Sequence, residues 1–74
     1  MRAQIIMERS GDARHEFDPV DAHSIAEAKS RFEHLIGQGY SAVAFGDGDA
    51  SGSRITEFDP EAERTIFIPR LVGG

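Results

Sequence analysis

The chain contains one clear helical segment, and this segment constrains the fold because the other elements must pack around it. Charged residues lie off one apolar stripe that repeats at helical spacing. Ser24 and Glu27 stand three residues apart, as in a capping box, and Gly37-Gln38-Gly39 ends the pattern. We therefore predict a single amphipathic helix over residues 24–36. Its apolar stripe consists of Ile25, Ala28, Phe32, Leu35 and Ile36.

Strand-like segments lie on both sides of this helix. Before the helix, residues 3–8 and 13–17 alternate in polarity around the turn Ser10-Gly11-Asp12, which predicts a hairpin. The order of strand, strand, helix and three further strands predicts an α+β domain, in which one helix packs on one face of a mixed five-stranded sheet. The three later strands are predicted at residues 40–45, 54–58 and 64–68.

The length, composition and charge of the chain limit the classes of protein to which it can belong. A chain of 74 residues makes one domain with a small core, and without cysteine it has no disulfide. The net charge is −5 and the basic residues are scattered, so we expect no nucleic-acid partner. No apolar run is long enough to span a membrane, and the first residues lack the pattern of a signal peptide. We expect a cytoplasmic protein without a membrane partner.

The sequence favours neither a metal site nor a catalytic site. Residues 47–52 resemble the first half of a calcium loop, but Phe58 occupies the position where a glutamate ligand is needed. His23 and His34 are roughly 16 Å apart along the predicted helix, too far to share a metal. His15 is expected on the inward face of its strand, partly buried. We expect no cofactor and no enzymatic activity, because no group of residues has catalytic spacing.

The chain ends with a strand, one proline and two glycines. Glycine has no side chain, so a Gly-Gly end passes through a narrow channel and presents its carboxylate to a partner's active site. We therefore expect a domain over residues 1–69 and a flexible tail over residues 70–74. Gly73 and Gly74 are the expected activation and conjugation residues, and Arg70, Leu71 and Val72 are the expected partner contacts.

The element order and the glycine end resemble the ubiquitin-like β-grasp family, with its ββαβββ arrangement, over essentially the whole chain. Glu16-Phe17-Asp18-Pro19 is similar to the strand end and proline turn before ubiquitin's helix. Residues 66–74 also look like the end of bacterial sulfur carriers of thiamine and molybdopterin synthesis, although Arg70 stands where those usually have a second proline. Residues 61–64 likewise replace the Gly-Asp-Glu turn that is typical before their last strand.

The resemblance implies a modifier that is a substrate and not a catalyst. An activating enzyme would adenylate the Gly74 carboxylate, and a thioester would carry the acyl group to amines of target proteins. A conjugating enzyme and a processing metalloprotease are the further implied partners. Two alternatives remain: a sulfur carrier with a C-terminal thiocarboxylate, and a non-covalent β-grasp interaction module.

We expect two features on the surface, an apolar patch on the sheet and an exposed lysine on the helix. In β-grasp modifiers the open sheet face near the tail binds enzymes, and the apolar candidates here are Ile6, either Ile66 or Phe67, and Leu71. Lys29 is the only lysine and lies off the apolar stripe, so it is expected to be exposed and is the possible acceptor for a second copy.

Overall fold

The computed structural model describes residues 1–46, 48 and 51–70. Within these residues the chain forms five strands and one helix, which confirms the predicted α+β class with a five-stranded mixed sheet. The elements in chain order are β1 (Arg2–Glu8), β2 (Gly11–Phe17), α1 (Ala22–Gly37), β3 (Ser41–Phe45), β4 (Ser53–Ile55) and β5 (Arg64–Ile68).

The last strand lies in the middle of the sheet. The strand order is β2-β1-β5-β3-β4. β1 pairs antiparallel with β2, as the predicted hairpin requires, and parallel with β5. β3 pairs antiparallel with both β5 and β4. The residues that follow β5 therefore start from the middle of the sheet and not from one of its edges.

The core forms where the apolar stripe of α1 covers one face of this sheet. Ala28, Phe32 and Leu35 are buried, and the edge of the Phe32 ring meets Phe67 with 5.6 Å between the ring centroids. Phe67 pairs with Ile6 on β1 and Ala42 on β3, and directly paired residues share a face of the sheet. The predicted stripe is confirmed, with its two outer members, Ile25 and Ile36, half-buried.

A buried glutamine attaches the helix to β1. Gln4 is only 1% exposed, and its Nε2 donates a 2.9 Å hydrogen bond to the backbone carbonyl of Ala28. Its Oε1 accepts a 2.8 Å hydrogen bond from the Arg31 guanidinium. Both ends of the amide are satisfied, as a buried polar group requires. These directional contacts fix the position of α1 along β1.

The predicted capping box is wrong, because the helix begins earlier. Asp21 is the N-cap, and its carboxylate accepts a 3.0 Å hydrogen bond from the backbone amide of His23. Ser24 lies inside the first turn, and its hydroxyl accepts a 2.8 Å hydrogen bond from the amide of Asp18. Glu27 reaches the His23 imidazole at 2.9 Å on the exposed surface. Asp21 therefore takes the capping role that the spacing of Ser24 and Glu27 indicated.

Two strand predictions also need correction. β4 ends at Ile55, and Phe58 instead packs near the core, with ring centroids 5.9 Å from Phe17 and 6.0 Å from Phe32. The register places His15 on the helix-facing side, as predicted, but its side chain is exposed because β2 is the outermost strand. The expected partial burial of His15 is therefore wrong.

The position of the cap gives a paired test. We expect Asp21→Ala to lower the free energy of unfolding by about 1 kcal/mol, because an amide of the first turn loses its acceptor. Glu27→Ala should change it by less than about 0.5 kcal/mol, since its histidine contact is a surface pair. Urea unfolding followed by circular dichroism measures both. A larger loss in Glu27→Ala than in Asp21→Ala would instead favour the capping box.

Candidate functional site

The base of the C-terminal tail lies beside the turn between α1 and β3. Beyond β5, Pro69 is half-buried and Arg70 is exposed. Gly39 has a positive φ of 96°, and a side chain built on it would meet the Arg70 side chain at 3.5 Å. A contact of this length is ordinary van der Waals packing, so the turn requires glycine for its positive φ and not to make room for Arg70. The predicted residues Leu71, Val72, Gly73 and Gly74 lie outside the described residues, and their roles stay predictions.

The face of the sheet opposite α1 carries a group of partly exposed apolar side chains, which we call the open face. Met7 and Ile68 are each 42% exposed, and the remaining members are half-buried. Ile66 lies on this face, whereas Phe67 points into the core, which resolves the choice between them. The open face consists of Ile5 and Met7 on β1, Ile66 and Ile68 on β5, and Val43 on β3.

The prediction that Ile6 belongs to an exposed patch is wrong. Ile6 is only 6% exposed and packs in the core with Phe32 and Phe67. Once Ile6 faces the helix, alternation places Ile5 and Met7 on the other side. The sequence contained this signal, but both sets of alternate residues in β1 include apolar side chains, so polarity alone did not identify the inward face.

Arginines lie along the margins of the open face. Strand pairing places Arg14 opposite Ile5 on β2 and Arg54 opposite Val43 on β4. The Arg64 guanidinium carbon lies 4.6 Å from the centre of the Phe45 ring. Three of the eight Lys and Arg residues therefore share this side of a chain with net charge −5. Asp12 and Glu16 on β2 are the acidic residues that the register places on the same side.

Gly52 closes the open face at one corner. A side chain built on Gly52 would collide with Val43 Cγ1 and would lie 2.7 and 2.9 Å from two carbons of the Phe45 ring. The backbone before β4 therefore packs directly on these two side chains, and only glycine fits there. Val43, Ile5 and Ile66 are half-buried, and Ile68 is exposed.

A concave region lies on the helix side of the molecule. It is a cleft of about 330 Å³ with aromatic side chains in its floor and charged side chains at its rim. Lys29 stands at this rim and is exposed, as predicted. The cleft is lined by Lys29, Phe32, Glu33, Thr56, Glu57 and Phe58.

Over residues 1–46, 48 and 51–70, no three His, Asp or Glu side chains come together as ligands for one ion. Within the same residues, no helix has the length and apolar character needed to cross a bilayer.

Comparisons of the chain with protein-family models, with curated proteins and with solved structures find no match.

The close contact at Gly52 gives a test with an internal control. We expect Gly52→Ala to lower the free energy of unfolding by about 1–3 kcal/mol, because the added methyl group overlaps Val43 and Phe45. Gly37→Ala should be neutral or stabilising by up to about 1 kcal/mol, since Gly37 lies in α1 and no atom comes near its built side chain. Chemical denaturation measures both. Equal stability of the two variants would show that the segment at Gly52 does not pack on the open face.

Proposed function

We propose that this protein is a ubiquitin-like β-grasp modifier that acts through the carboxylate of Gly74. The strand order β2-β1-β5-β3-β4 with a single helix is compatible with a β-grasp. The supporting observation is the course of the chain after Phe67. The central strand β5 leads directly to Pro69 and then to exposed Arg70, and Leu71-Val72-Gly73-Gly74 follows in the sequence.

The proposed chemistry needs only the terminal carboxylate from this chain. A carboxylate oxygen attacks the α-phosphate of ATP on an activating enzyme, which forms an acyl adenylate and releases pyrophosphate. A cysteine thiolate of the enzyme then attacks the acyl carbon and AMP leaves. A target amine finally attacks the thioester, forms an amide and releases the thiol. The protein is the substrate in each step, and the partner enzymes provide the catalysis.

The short tail sets a geometric condition on these partners. Four residues beyond Arg70 reach at most about 14 Å when fully extended. An activating enzyme must therefore hold its nucleotide within that distance of Arg70. Exposed Arg70, packed beside Gly39, is available to contact an acidic surface of that enzyme. We propose a conjugating enzyme and a processing metalloprotease as further partners, and the cytoplasm as the compartment.

The same carboxylate also suits a sulfur carrier, in which a sulfur donor displaces AMP from the adenylate and leaves a thiocarboxylate. Residues 66–74 resemble the ends of such carriers, but Arg70 occupies the site of their second proline. Because both functions share the adenylate, only the fate of the acyl group distinguishes them. We favour the modifier because Arg70 departs from the pattern of the sulfur carriers.

Activation can be tested directly. We expect a thioester to form when the protein is mixed with ATP, magnesium and an activating-type enzyme encoded beside its gene. Deletion of Gly74 should abolish the thioester, whereas Gly37→Ala, which changes a glycine within α1, should leave it intact. A reducing and a non-reducing gel separate the thioester from a stable conjugate. Failure to form an adenylate or a thioester with any such enzyme would contradict the proposal.

The lysine content predicts how the modifier is attached. Lys29 is the single lysine in the sequence that can accept a second copy. With one exposed lysine on the chain, we expect attachment mainly as single units. In a reconstituted reaction, the native protein and Lys29→Arg should give the same pattern on a denaturing gel. A long ladder in the native protein that collapses in the variant would show that Lys29 is a chain-forming site.

A further inference from the structure

We propose that the outer edge of β2 pairs antiparallel with the same edge of a second copy of this protein, so that the two sheets join into one. The pairing is non-covalent and does not require Gly74. It follows from the length of β2 at an edge of the sheet, the direction of its backbone groups and the order of the charges along it.

The strands at the two edges of the sheet differ in length. β4 forms one edge and has only three residues, Ser53–Ile55. β2 forms the other edge and has seven, Gly11–Phe17, which pair with β1 in continuous register. Short strands, bulges and prolines are features that prevent an edge strand from pairing with another chain. Over its seven described residues β2 has none of them, so it is the edge that is suited to pair.

The backbone of β2 presents its free hydrogen-bonding groups at alternate residues. The amide of Ala3 donates a 2.9 Å hydrogen bond to the carbonyl of Glu63, so the backbone groups of Ala3 point toward β5 and away from β2. Ala3 is opposite Glu16, and in an antiparallel pair this geometry alternates along the strands. Asp12, Arg14 and Glu16 therefore direct their amides and carbonyls outward, toward the position of a further strand.

The charges along this edge are complementary to themselves. Asp12, Arg14 and Glu16 are exposed and lie on one side of β2, so the signs alternate as acidic, basic and acidic. With a two-fold axis at Ala13, Asp12 of each copy stands directly opposite Arg14 of the other. Opposite charges at directly paired positions stabilise a sheet, and like charges destabilise it. An edge with charges of one sign would repel a second copy, whereas this edge attracts one.

The neighbouring registers match the charges less well. A two-fold axis at Arg14 places this arginine opposite itself and Asp12 opposite Glu16. An axis one residue further along pairs Arg14 with Glu16, but it also places Asp12 opposite Asp18, whose backbone amide is already bonded within its own chain. The axis at Ala13 is therefore the one that opposes unlike charges without opposing like ones.

Small residues lie near this axis on the helix-facing side of β2. Ala13 meets Ala13 of the second copy, and Gly11 stands opposite His15 of the second copy. A side chain built on Gly11 has no atom within 4 Å, so the space over this glycine is open to the imidazole. The directly opposed residues on this side of the strand therefore fit without crowding.

The assembly closes at two copies and keeps the two tail bases apart. The two-fold axis uses the β2 edge of each copy, so the short strand β4 forms both remaining edges. In the joined sheet five strand spacings separate the two β5 strands, a distance of about 24 Å. These strands run in opposite directions, so Arg70 of each copy lies at opposite ends of the sheet. The pairing therefore does not bring one tail base against the other.

Concentration dependence tests the pairing on the full-length protein. The paired segment is short, so we expect a weak dimer, which sedimentation equilibrium should detect as the concentration rises to about 1 mM. The amides of Asp12 and Arg14 donate hydrogen bonds between the copies, so their hydrogen exchange, measured by NMR, should slow as the concentration rises. The amide of Glu16, which lies opposite the turn residue Ser10, should exchange at an unchanged rate.

Variants with single-sign edges test the charge pairing. Arg14→Asp gives a wholly acidic edge and Asp12→Arg with Glu16→Arg a wholly basic one, and each should weaken self-association about tenfold or more. An equal mixture of the two should recover the dimer. Both variants keep a negative net charge, so overall charge does not draw them together. Arg54→Asp places the acidic change on β4 and should leave self-association unchanged.

Several results would overturn the inference. These are a monomer at every concentration, self-association of Arg14→Asp equal to that of the native protein, and a mixture that stays monomeric although amide spectra show both variants folded. Slowed exchange at Glu16 but not at Asp12 would overturn the axis at Ala13. Deletion of Gly74 should leave the dimer intact, and none of these measurements uses ATP. Their failure is therefore distinct from failure of the proposed covalent function.

Discussion

The contact between Phe67 and Phe32 is the interaction on which the rest of the structure depends. Phe67 is fully buried in the central strand β5, and its ring meets Phe32 of α1 edge-on. This contact holds the last strand between β1 and β3 and fixes which of its faces turns inward. With Phe67 inward, Ile66 and Ile68 face away from the helix, and the chain leaves the sheet at Pro69. The open face and the tail base thus follow from the placement of one aromatic side chain.

The helix-facing and open sides of the sheet differ in how far their side chains are buried. The helix-facing side is closed by apolar packing and by the Gln4 amide, whose hydrogen bonds are satisfied by Ala28 and Arg31. The open side leaves apolar side chains next to exposed arginines in an acidic chain.

Much of the fold was predictable from periodicity. The stripe of α1, the hairpin of β1 and β2 and the final strand all appear as patterns in the sequence, because each element buries one side. The choice between two neighbouring residues that could each cap the helix was harder to predict. Asp21 and Ser24 both offer a side-chain oxygen near the start of α1, and only the three-dimensional course of Asp18 shows that the serine is occupied elsewhere.

The candidate site was predictable only in part. Ile5 and Ile6 are identical side chains in one strand, so polarity did not show which of them faces α1. The close fit of Gly52 on Val43 and Phe45 joins segments that no local pattern relates. The exposure of Lys29 was predicted correctly, since its helical position alone places it off the apolar stripe.

The central claim, that Gly74 is joined to amines of other proteins, is tested most directly by mass spectrometry of tryptic digests from the host. Trypsin cleaves after Arg70, so each conjugate should yield a target peptide whose lysine carries Leu71-Val72-Gly73-Gly74 as an amide-linked remnant. The account predicts such branched peptides in wild-type cells and their absence when the codon for Gly74 is deleted. Recovery of the C-terminal peptide only as a free carboxylate or a thiocarboxylate, with no branched peptide, would contradict it.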